Sequence, residues 1–366
     1  MLKAGGAREA GPIRRIYFVG RDQGLRFWKT RLGLEKYRRG ELAGLRRQPR
    51  TRRTRIPAHA DVIFVRNKPE STTDDELEEL TRFVEHYENG TRLVINPPKS
   101  FLLCDSKDRA FSAWSAHGLV CPRHWVLETD PDDPEDLACA EQVRTLLETE
   151  SQILLRTNNG AGGHGLGVVN RETSPKKLLQ VIRFLKERTA RLRRIRRDTR
   201  IIAVEYVDAR DSDGYTALHR AFVLFDRVVG YFAVVSDRFN IHPWDMTFEA
   251  FDRWLEANRE LRGLIEDSGA ASDIVRAVQV LGNNIGAVDF LVREGVPTVL
   301  EVNPLWGTVP PARFAFGDEA FEAHLEATED SWSKELPHIA ENLDPDGFYQ
   351  RMYGTIAERA DQLVSP

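Results

Sequence analysis

Residues 153–170, ILLRTNNGAGGHGLGVVN, contain two short apolar segments on either side of a glycine-rich loop. The segments 153–155 and 168–169 are typical of β-strands. The glycines of this stretch are Gly160, Gly162, Gly163, Gly165 and Gly167. Glycine adopts positive φ angles and lets successive N–H groups converge on an anion without interference from a Cβ atom. The pattern therefore predicts a strand–loop–strand flap that covers phosphate groups, with a mobile surface hairpin as the alternative.

The glycine loop does not match the two best-known phosphate-binding motifs. Its spacing differs from that of a Walker loop, and no Gly-Lys-Ser/Thr sequence follows it. A Rossmann fingerprint is also disfavoured, because residues 168–170 do not open a helix. The loop alone leaves the fold undecided, and the rest of the chain has to decide it.

The composition is that of an ordinary globular protein. The chain has 366 residues, enough for two or three domains, with 41% hydrophobic and 30% charged residues and a net charge of −4. Two local runs, 25–55 and 186–200, are rich in Arg and Lys. Such runs can attract phosphates or nucleic acid, but a solvated basic face is the commoner explanation. Without aromatic interleaving or a nucleic-acid motif, we expect no nucleic-acid partner.

The cysteines and the apolar runs bear on the compartment. Cys104, Cys121 and Cys139 show neither metal-ligand spacing nor a paired framework, which suits a reducing environment. The first residues include no apolar signal segment, and no run approaches the roughly 18 apolar residues that a membrane helix needs. We expect a cytoplasmic protein with no membrane partner.

The first hundred residues predict a parallel α/β layer. Apolar strands are expected at 13–19, 61–65 and 92–96. A helix between the last two strands begins with a capping box formed by Thr73 and Glu76. Near-continuous apolar strands joined through a helix are typical of parallel sheets that are covered by helices.

Pro97 and Pro98 predict a domain boundary, and the remaining chain is predicted to mix helices with hairpins. Helices are expected over 106–118, 135–148 and 247–267, after the Ser174–Pro175 cap, and after a cap at Ser272. Strands are expected over 201–207, in a hairpin over 221–235, and in a second hairpin formed by 285–292 and 298–303.

The last hairpin places acidic side chains in an apolar sheet. In GAVDFLV and TVLEVNP, Glu301 and Asn303 lie two positions apart and share one face, and Asp289 joins them if the strands pair around the turn. Two carboxylates and an amide, all oxygen ligands, suit Mg²⁺. The alternative is a solvent-facing surface with paired Arg and Lys, which the apolar neighbours disfavour.

The last hairpin, residues 285–303, is called the acid hairpin below. Together, the glycine-rich flap and the acid hairpin resemble features of the ATP-grasp superfamily. The matching segments are NPPKSFLLCDSKDRAFSAWSAHGLVCPRHWVL, the flap, VEYVDARD, HRAFVLFDRVVG and GAVDF…LEVNPLWG, over about residues 96–310. The ribosomal-protein glutamate ligases and related carboxylate–amine ligases resemble it most. The resemblance implies a chain of α/β and α+β class: an N-terminal α/β domain (1–96) and two α+β lobes (97–200 with the lid, 201–366 with the metal site and a helical tail) that enclose ATP.

The resemblance also implies a set of site residues. The catalytic set is Arg220, Arg238 and Asn240. The nucleotide-binding set is Lys107, Arg156, Gly160, Gly162, Gly163, Gly165, Glu205, Tyr206, Val207 and Asp211. The set for Mg²⁺, or Mn²⁺, is Asp289, Glu301 and Asn303. Simpler explanations exist for some of them: an exposed helix lysine at 107, a salt-bridge acid at 205, a turn cap at 211 and a capped loop over 238–242.

The family's second phosphate-binding lysine is replaced by Arg156, which keeps the charge but is bulkier. The resemblance implies an ATP- and Mg²⁺-dependent ligase that joins a carboxylate to an amine, on small molecules or peptides, through an acyl phosphate. A kinase acting on a hydroxyl and a nucleotide-binding protein without turnover are the alternatives. A homo-oligomer is compatible with the sequence.

Overall fold

The computed structural model describes residues 16–20, 61–67, 72–88, 90, 92–129, 136–160, 165–242, 246–304, 323 and 345–364. Predictions for the basic run 25–55, for Gly162 and Gly163, and for residues 305–322 lie outside these ranges.

Eleven strands and eight α-helices lie in the described residues. The strands are β1 (Ile16–Val19), β2 (Val62–Val65), β3 (Leu93–Ile95), β4 (His124–Val126), β5 (Gln152–Thr157), β6 (Gly167–Asn170), β7 (Ile201–Glu205), β8 (Thr216–Leu224), β9 (Arg227–Ser236), β10 (Ile285–Arg293) and β11 (Val296–Asn303). The helices are α1 (Asp74–Tyr87), α2 (Ser100–Asp105), α3 (Lys107–Ala116), α4 (Leu137–Thr149), α5 (Pro175–Leu192), α6 (Phe251–Asp267), α7 (Ala270–Val280) and α8 (Pro345–Val364).

The N-terminal layer is a parallel sheet with the order β1-β2-β3, as predicted. The predicted capping box of α1 is present: the Thr73 side chain accepts from the Glu76 N–H, and the Glu76 side chain accepts from the Thr73 N–H. Leu77 and Val84 of α1 are buried in the same apolar cluster as Ile63 and Val65 of β2. This cluster is the core of the N-terminal layer.

The second sheet has the order β4-β7-β5-β6, with antiparallel neighbours, and contains the flap hairpin β5–β6. Helices α4 and α5 bury Val143, Leu147, Ile182 and Leu185 in its core. The side chain of Ser174 accepts from the Lys177 N–H and caps α5 as predicted. Strand β7 belongs to this sheet, although it follows the predicted boundary at residue 200.

The third sheet is antiparallel with the order β11-β10-β8-β9 and belongs to the largest apolar cluster. Helices α6 and α7 contribute Trp254, Leu255, Ile274 and Val278 to this cluster. Helix α3 joins the same core, because the buried Trp114 donates from Nε1 to the carbonyl of Ala277 at 2.8 Å. Lys107, the first residue of α3, lies beside the third sheet and pairs with Glu301 of β11.

Three predicted boundaries are corrected, and one helix is added. The cap at Ser272 is wrong: α7 begins at Ala270, because Gly269 in the left-handed region (φ 78°) starts the turn earlier. The hairpin predicted over 221–235 is longer, and β7 ends at Glu205 rather than at residue 207. Helix α2 was not predicted, since six residues without a side-chain cap leave little periodicity to detect.

Asn96 connects the first and third sheets. It is fully buried with φ 53°. Its Oδ1 accepts from the N–H groups of Asn284 (3.3 Å) and Ile285 (3.1 Å), and its Nδ2 donates to the carbonyl of Pro304 at 3.1 Å. The side chain of Asn284 returns a bond from Nδ2 to the carbonyl of Val94 at 2.7 Å. These bonds form the Asn96 clasp.

Cys104, Cys121 and Cys139 are unpaired, as the sequence predicted. None of the helices that the structure describes combines the length and apolarity of a membrane span.

Candidate functional site

The acid hairpin β10–β11 brings the three predicted metal ligands together. Asp289 of β10 lies directly opposite Glu301 of β11. Asn303, also on β11, lies opposite Ala287 of β10. The strands join through a tight turn in which Glu294 (φ 53°) and Gly295 (φ 77°) are both left-handed. The turn sets the pairing as far as Phe290 opposite Val299, and a register shift between Asp289 and Phe290 then brings Asp289 opposite Glu301. Because Glu301 and Asn303 lie two positions apart, the three polar side chains share one face.

Asp289 is buried and paired. Arg220, which lies opposite Asp289 on β8, donates from Nε to Oδ1 at 2.5 Å and from Nη2 to Oδ2 at 2.6 Å. Asn303 donates from Nδ2 to Oδ2 of the same carboxylate at 3.1 Å. Burial raises the pKa of Asp289 more than the Arg220 pair lowers it, so its pKa lies above the usual value.

Glu301 pairs with Lys107 of α3, with 2.9 Å between Oε1 and Nζ. Lys107 is only 3% exposed, which excludes the ordinary surface lysine that was the simpler explanation. Burial pushes the pKa of Glu301 up, but the charges of Lys107, Arg156 and Arg220 outweigh it and leave that pKa below its ordinary value. Glu301 is therefore ionised at neutral pH.

Arg156 stands near the end of β5 and faces this cluster. Its guanidinium donates to the carbonyls of Thr157 (3.2 Å) and Gly160 (3.4 Å), and no carboxylate among the described residues forms an ion pair with it. Burial lowers the pKa of Arg156, while the charge of Glu301 opposes this effect. A half-buried cation that binds only carbonyl oxygens among the described residues suits an anionic ligand.

The described part of the lid packs on α5. Gly160 and Gly165 adopt φ 112° and 82°, and a Cβ atom at Gly165 would lie 2.7 Å from Cδ of Arg188. Arg188 was not singled out from the sequence, because it lies in the basic run 186–200. Its buried Nε has no hydrogen-bond partner in the part of the chain that is described. Arg188 adds a further cation beside Arg156, since its charge also lowers the pKa of Arg156.

The predicted adenine-binding segment follows β7. The carboxylate of Glu205 accepts from the N–H (3.0 Å) and Nε (3.1 Å) of Arg123, so this side chain is a salt-bridge acid. Tyr206 and Val207 come after the strand and are half-buried. The Tyr206 ring stacks on Phe239, with 5.9 Å between centroids. The backbone role predicted for this segment remains a prediction.

Asp211 caps a turn. Its Oδ1 accepts from the N–H groups of Asp213 and Tyr215, each at 2.9 Å, and its Oδ2 pairs with Arg253. The carboxylate is exposed, and both of its oxygens are engaged. This geometry favours the simpler explanation over the predicted contact with ribose.

The loop that follows β9 lies beside the segment after β7, through the Tyr206–Phe239 stack. The Arg238 N–H donates to Oγ of Ser236 at 3.1 Å, and Nδ2 of Asn240 lies 3.2 Å from Nε2 of His242. No hydrogen bond of Asn240 within the described residues reaches the acid hairpin. The catalytic roles of Arg238 and Asn240 remain predictions.

The basic run 186–200 is engaged within the molecule. Buried Arg196 pairs with Asp105 at 3.0 Å and with Asp74 at 3.2 Å, and it thereby ties the end of α5 to α2 and to the start of α1. Arg200 pairs with Asp108 at 2.5 Å. Arg196 and Arg200 of this run therefore hold the segment between α5 and β7 against α1, α2 and α3.

No protein-family model matches this sequence, and no curated protein matches it. Among solved structures, the ATP-grasp ligase PsnB complexed with a minimal precursor is 15% identical, covers 85% of this chain and 97% of its own, and has a TM-score of 0.47. The D-alanine–D-alanine ligase from Bacillus anthracis is 12% identical, with coverages of 96% and 100% and a TM-score of 0.48. D-cycloserine synthetase DcsG is 15% identical, with coverages of 94% and 99% and a TM-score of 0.51. The chain has the ATP-grasp fold.

The predicted fold class is thus confirmed. Other structures of these similar proteins hold Mg and ADP, in the case of PsnB, and ATP, in the case of the Bacillus anthracis ligase.

In this fold, the acid hairpin offers a donor set that fits Mg²⁺. Asp289, Glu301 and Asn303 supply only oxygen ligands, and the Asn303 amide, whose nitrogen faces Asp289, keeps its oxygen for a cation. Among the described residues, no group of three or more His, Cys, Asp or Glu side chains could hold a metal ion. The amide of Asn303 is therefore a necessary part of the predicted set.

Proposed function

We propose that the protein is an ATP- and Mg²⁺-dependent ligase that joins a carboxylate to an amine through an acyl phosphate. One observation carries this proposal: Asp289, Glu301 and Asn303 share the face of one hairpin, and their partners Arg220 and Lys107 reach them from β8 and α3. The proposal extends the ATP-grasp fold to a chemistry that the fold alone does not specify.

The charges of this cluster favour a polyphosphate. Lys107, Arg156 and Arg220 face two carboxylates, so the cluster has an excess of positive charge in a mostly buried place. Burying unpaired charge is unfavourable, and an anion removes the excess. Each acid is now paired with a cation of the same cluster, and binding lets the cations turn to phosphate oxygens and the acids to the metal.

The chain's own residues supply most of what phosphoryl transfer requires. Lys107, Arg156 and Arg220 would hold the transferring group, and preorganised cations of this kind stabilise the charge that develops during the reaction. Bound Mg²⁺ would neutralise charge on the β- and γ-phosphates. The lid over 158–166 would exclude water from a reactive acyl phosphate. The carboxylate and amine substrates, small molecules or peptides, would lie beyond the γ-phosphate.

The proposal can be tested by measuring ADP release by the purified protein. Mg·ATP is supplied with panels of amino acids, small acids and short peptides, and the products are weighed by mass spectrometry. We expect ADP release that requires a carboxylate and an amine together, and a product with the mass of both substrates less water. A product that gains only a phosphate identifies a kinase instead. A protein that binds no Mg·ATP refutes the proposal.

A matched variant separates an enzyme from a nucleotide-binding protein without turnover. Glu301→Gln keeps the shape of the side chain and removes one carboxylate from the cluster. We expect it to retain nucleotide binding and to lose ADP production. If wild type and Glu301→Gln both bind ATP and neither hydrolyses nor transfers it with any substrate pair, the non-catalytic alternative is correct.

A further inference from the structure

Asn158 joins three parts of the site without touching the acid hairpin. It follows β5 at the root of the lid and is fully buried. Its carbonyl accepts from the N–H of Lys107 at 2.9 Å, and its N–H donates to the carbonyl of Arg200 at 3.0 Å. Its Oδ1 accepts from the Arg200 N–H at 3.0 Å, and its Nδ2 donates to Oδ1 of Asp108 at 3.1 Å. The lid root, the start of α3 and the start of β7 thus meet at one side chain.

Asp108 is the charged centre of this network. It is 2% exposed, and it accepts from Oγ of Ser106 at 2.7 Å and from Nε of Arg200 at 2.7 Å. Burial raises its pKa, but the bonds from Ser106 and Asn158 and the charge of Arg200 outweigh burial, so its pKa is lowered. A buried carboxylate whose partners are all in place holds them in one geometry, because each broken bond leaves a desolvated charge.

Lys107 precedes Asp108 and faces another direction. Consecutive helix residues point about 100° apart, so Asp108 can anchor the first turn of α3 while the Lys107 ammonium faces Glu301. The Lys107 backbone is fixed on one side by the carbonyl of Asn158 and on the other by the Asp108 network. The placement of the ammonium therefore depends on contacts outside the acid cluster.

We propose that Asp108, Asn158 and Arg200 are positioning residues that hold Lys107 against the root of the lid. This inference rests on the phosphate-binding role proposed for Lys107. Asn158 lies two residues before Gly160. Because the Lys107 N–H donates to the Asn158 carbonyl, a displacement of Asn158 also displaces the backbone of Lys107. The network couples the position of Asn158, at the start of the lid, to the position of the Lys107 ammonium.

The test measures how accessible the Lys107 amine is, which requires no nucleotide. The full-length protein is labelled with limiting acetic anhydride, and the rate at Lys107 is compared by mass spectrometry with the rate at Lys99, whose side chain is 71% exposed. In wild type Lys107 should react slowly. In Asn158→Ala and in Asp108→Asn the Lys107/Lys99 ratio should rise about tenfold, the equivalent of one charge-assisted hydrogen bond. The ATP KM of these variants should rise by a similar factor.

Two controls make the outcome decisive. Asp273→Asn makes the same substitution as Asp108→Asn in an exposed Asp–Arg pair of α7, and it should leave the ratio unchanged. Arg200→Lys keeps a charge beside Asp108 and should restore part of the protection that Arg200→Ala removes. Since the Arg200 side chain is 41% exposed, this pair of variants carries the test if Asn158→Ala does not fold.

The possible results separate the two proposals. If folded variants melt at lower temperature but keep the wild-type labelling ratio, the network is only structural and the positioning inference is wrong. If the ratio rises as expected but wild type neither binds nor consumes ATP, the proposed function fails while the positioning of Lys107 stands. If the ratio and the ATP KM rise together, both are supported.

Discussion

The hairpins β5–β6 and β10–β11 both carry predicted site residues, but they hold them differently. In β10–β11 the pairing continues through the charged residues: Asp289 has Glu301 on one side and Arg220 on the other. In β5–β6 the pairing ends at Leu155, one residue before Arg156, which keeps a strand partner only on β7. The strand that carries the proposed metal ligand Asp289 is therefore paired on both sides, whereas Arg156 at the start of the lid is paired on one side. Site residues that need a fixed geometry are best placed on rigid strands or helices, whereas a lid that must move over a ligand is best placed on a loop.

The largest effect should come from breaking the hairpin that is held on both sides. Asp289→Asn removes a metal-facing charge and leaves Arg220 with a neutral partner. We expect ADP formation to fall on the order of 10³-fold, as for the loss of a central electrostatic group. The measurement is kcat/KM for ATP with the substrate pair found above, and Asp273→Asn is the matched control. Activity within about threefold of wild type would remove Asp289 from the metal set.

The free energy of unfolding should depend on pH through one buried histidine of the third sheet. His219 on β8 is buried against Phe290, with 5.3 Å between the rings, and burial lowers its pKa to about 4. The unfolded chain binds this proton near the ordinary value of 6.5, so the stabilising effect of neutral His219 is full above that pH and is lost as pH falls towards 4. The difference corresponds to about 3 kcal/mol.

Urea unfolding of wild type and His219→Leu at pH 7 and pH 4 measures this contribution. The wild type should lose about 3 kcal/mol more than the variant between the two pH values. Equal losses in both proteins would show that His219 is not held neutral in the folded state, and the third sheet would then be less tightly packed than its contacts indicate.

A smaller effect is expected at Gly165, near the β6 end of the lid. Gly165→Ala combines a left-handed φ with a Cβ atom that would lie 2.7 Å from Arg188 Cδ. We expect the ATP KM to rise about tenfold, the equivalent of 1–2 kcal/mol of strain. Gly214→Ala is the matched control, because it has a similar φ (89°) and open space around it. The double variant Gly165→Ala with Arg188→Ala separates the clash from the loss of Arg188 in a double-mutant cycle.

The smallest effect should be at Asp211. Its oxygens already accept from the turn and from Arg253, so Asp211→Asn should change the ATP KM by less than about threefold and should only slightly weaken the exposed ion pair. A tenfold rise in KM with unchanged melting temperature would instead restore the ribose contact that the resemblance implies.

The sequence revealed the acid hairpin because period-2 alternation and apolar neighbours are local signals. Lys107 was placed by its order among motifs, and its burial supports that placement. Asn158 and Arg188 escaped notice, since their partners lie up to about fifty residues away and local periodicity carries no information on such pairs. The prediction of an N-cap at Ser272 was wrong for a related reason. Serine is a good N-cap, but the start of a helix also depends on the preceding backbone, and here the helix begins after Gly269.

The Asn96 clasp has a consequence for chimaeric proteins. Pro97 and Pro98 invite an exchange of the first 96 residues between related chains, yet the side chain of residue 96 binds the carbonyl of Pro304, next to Asn303. An incoming segment without asparagine there would leave the backbone at Ile285 and Pro304 without its partners and loosen the end of the acid hairpin. Transplants should therefore treat residues 96 and 284 as a single inherited unit, exchanged together or not at all.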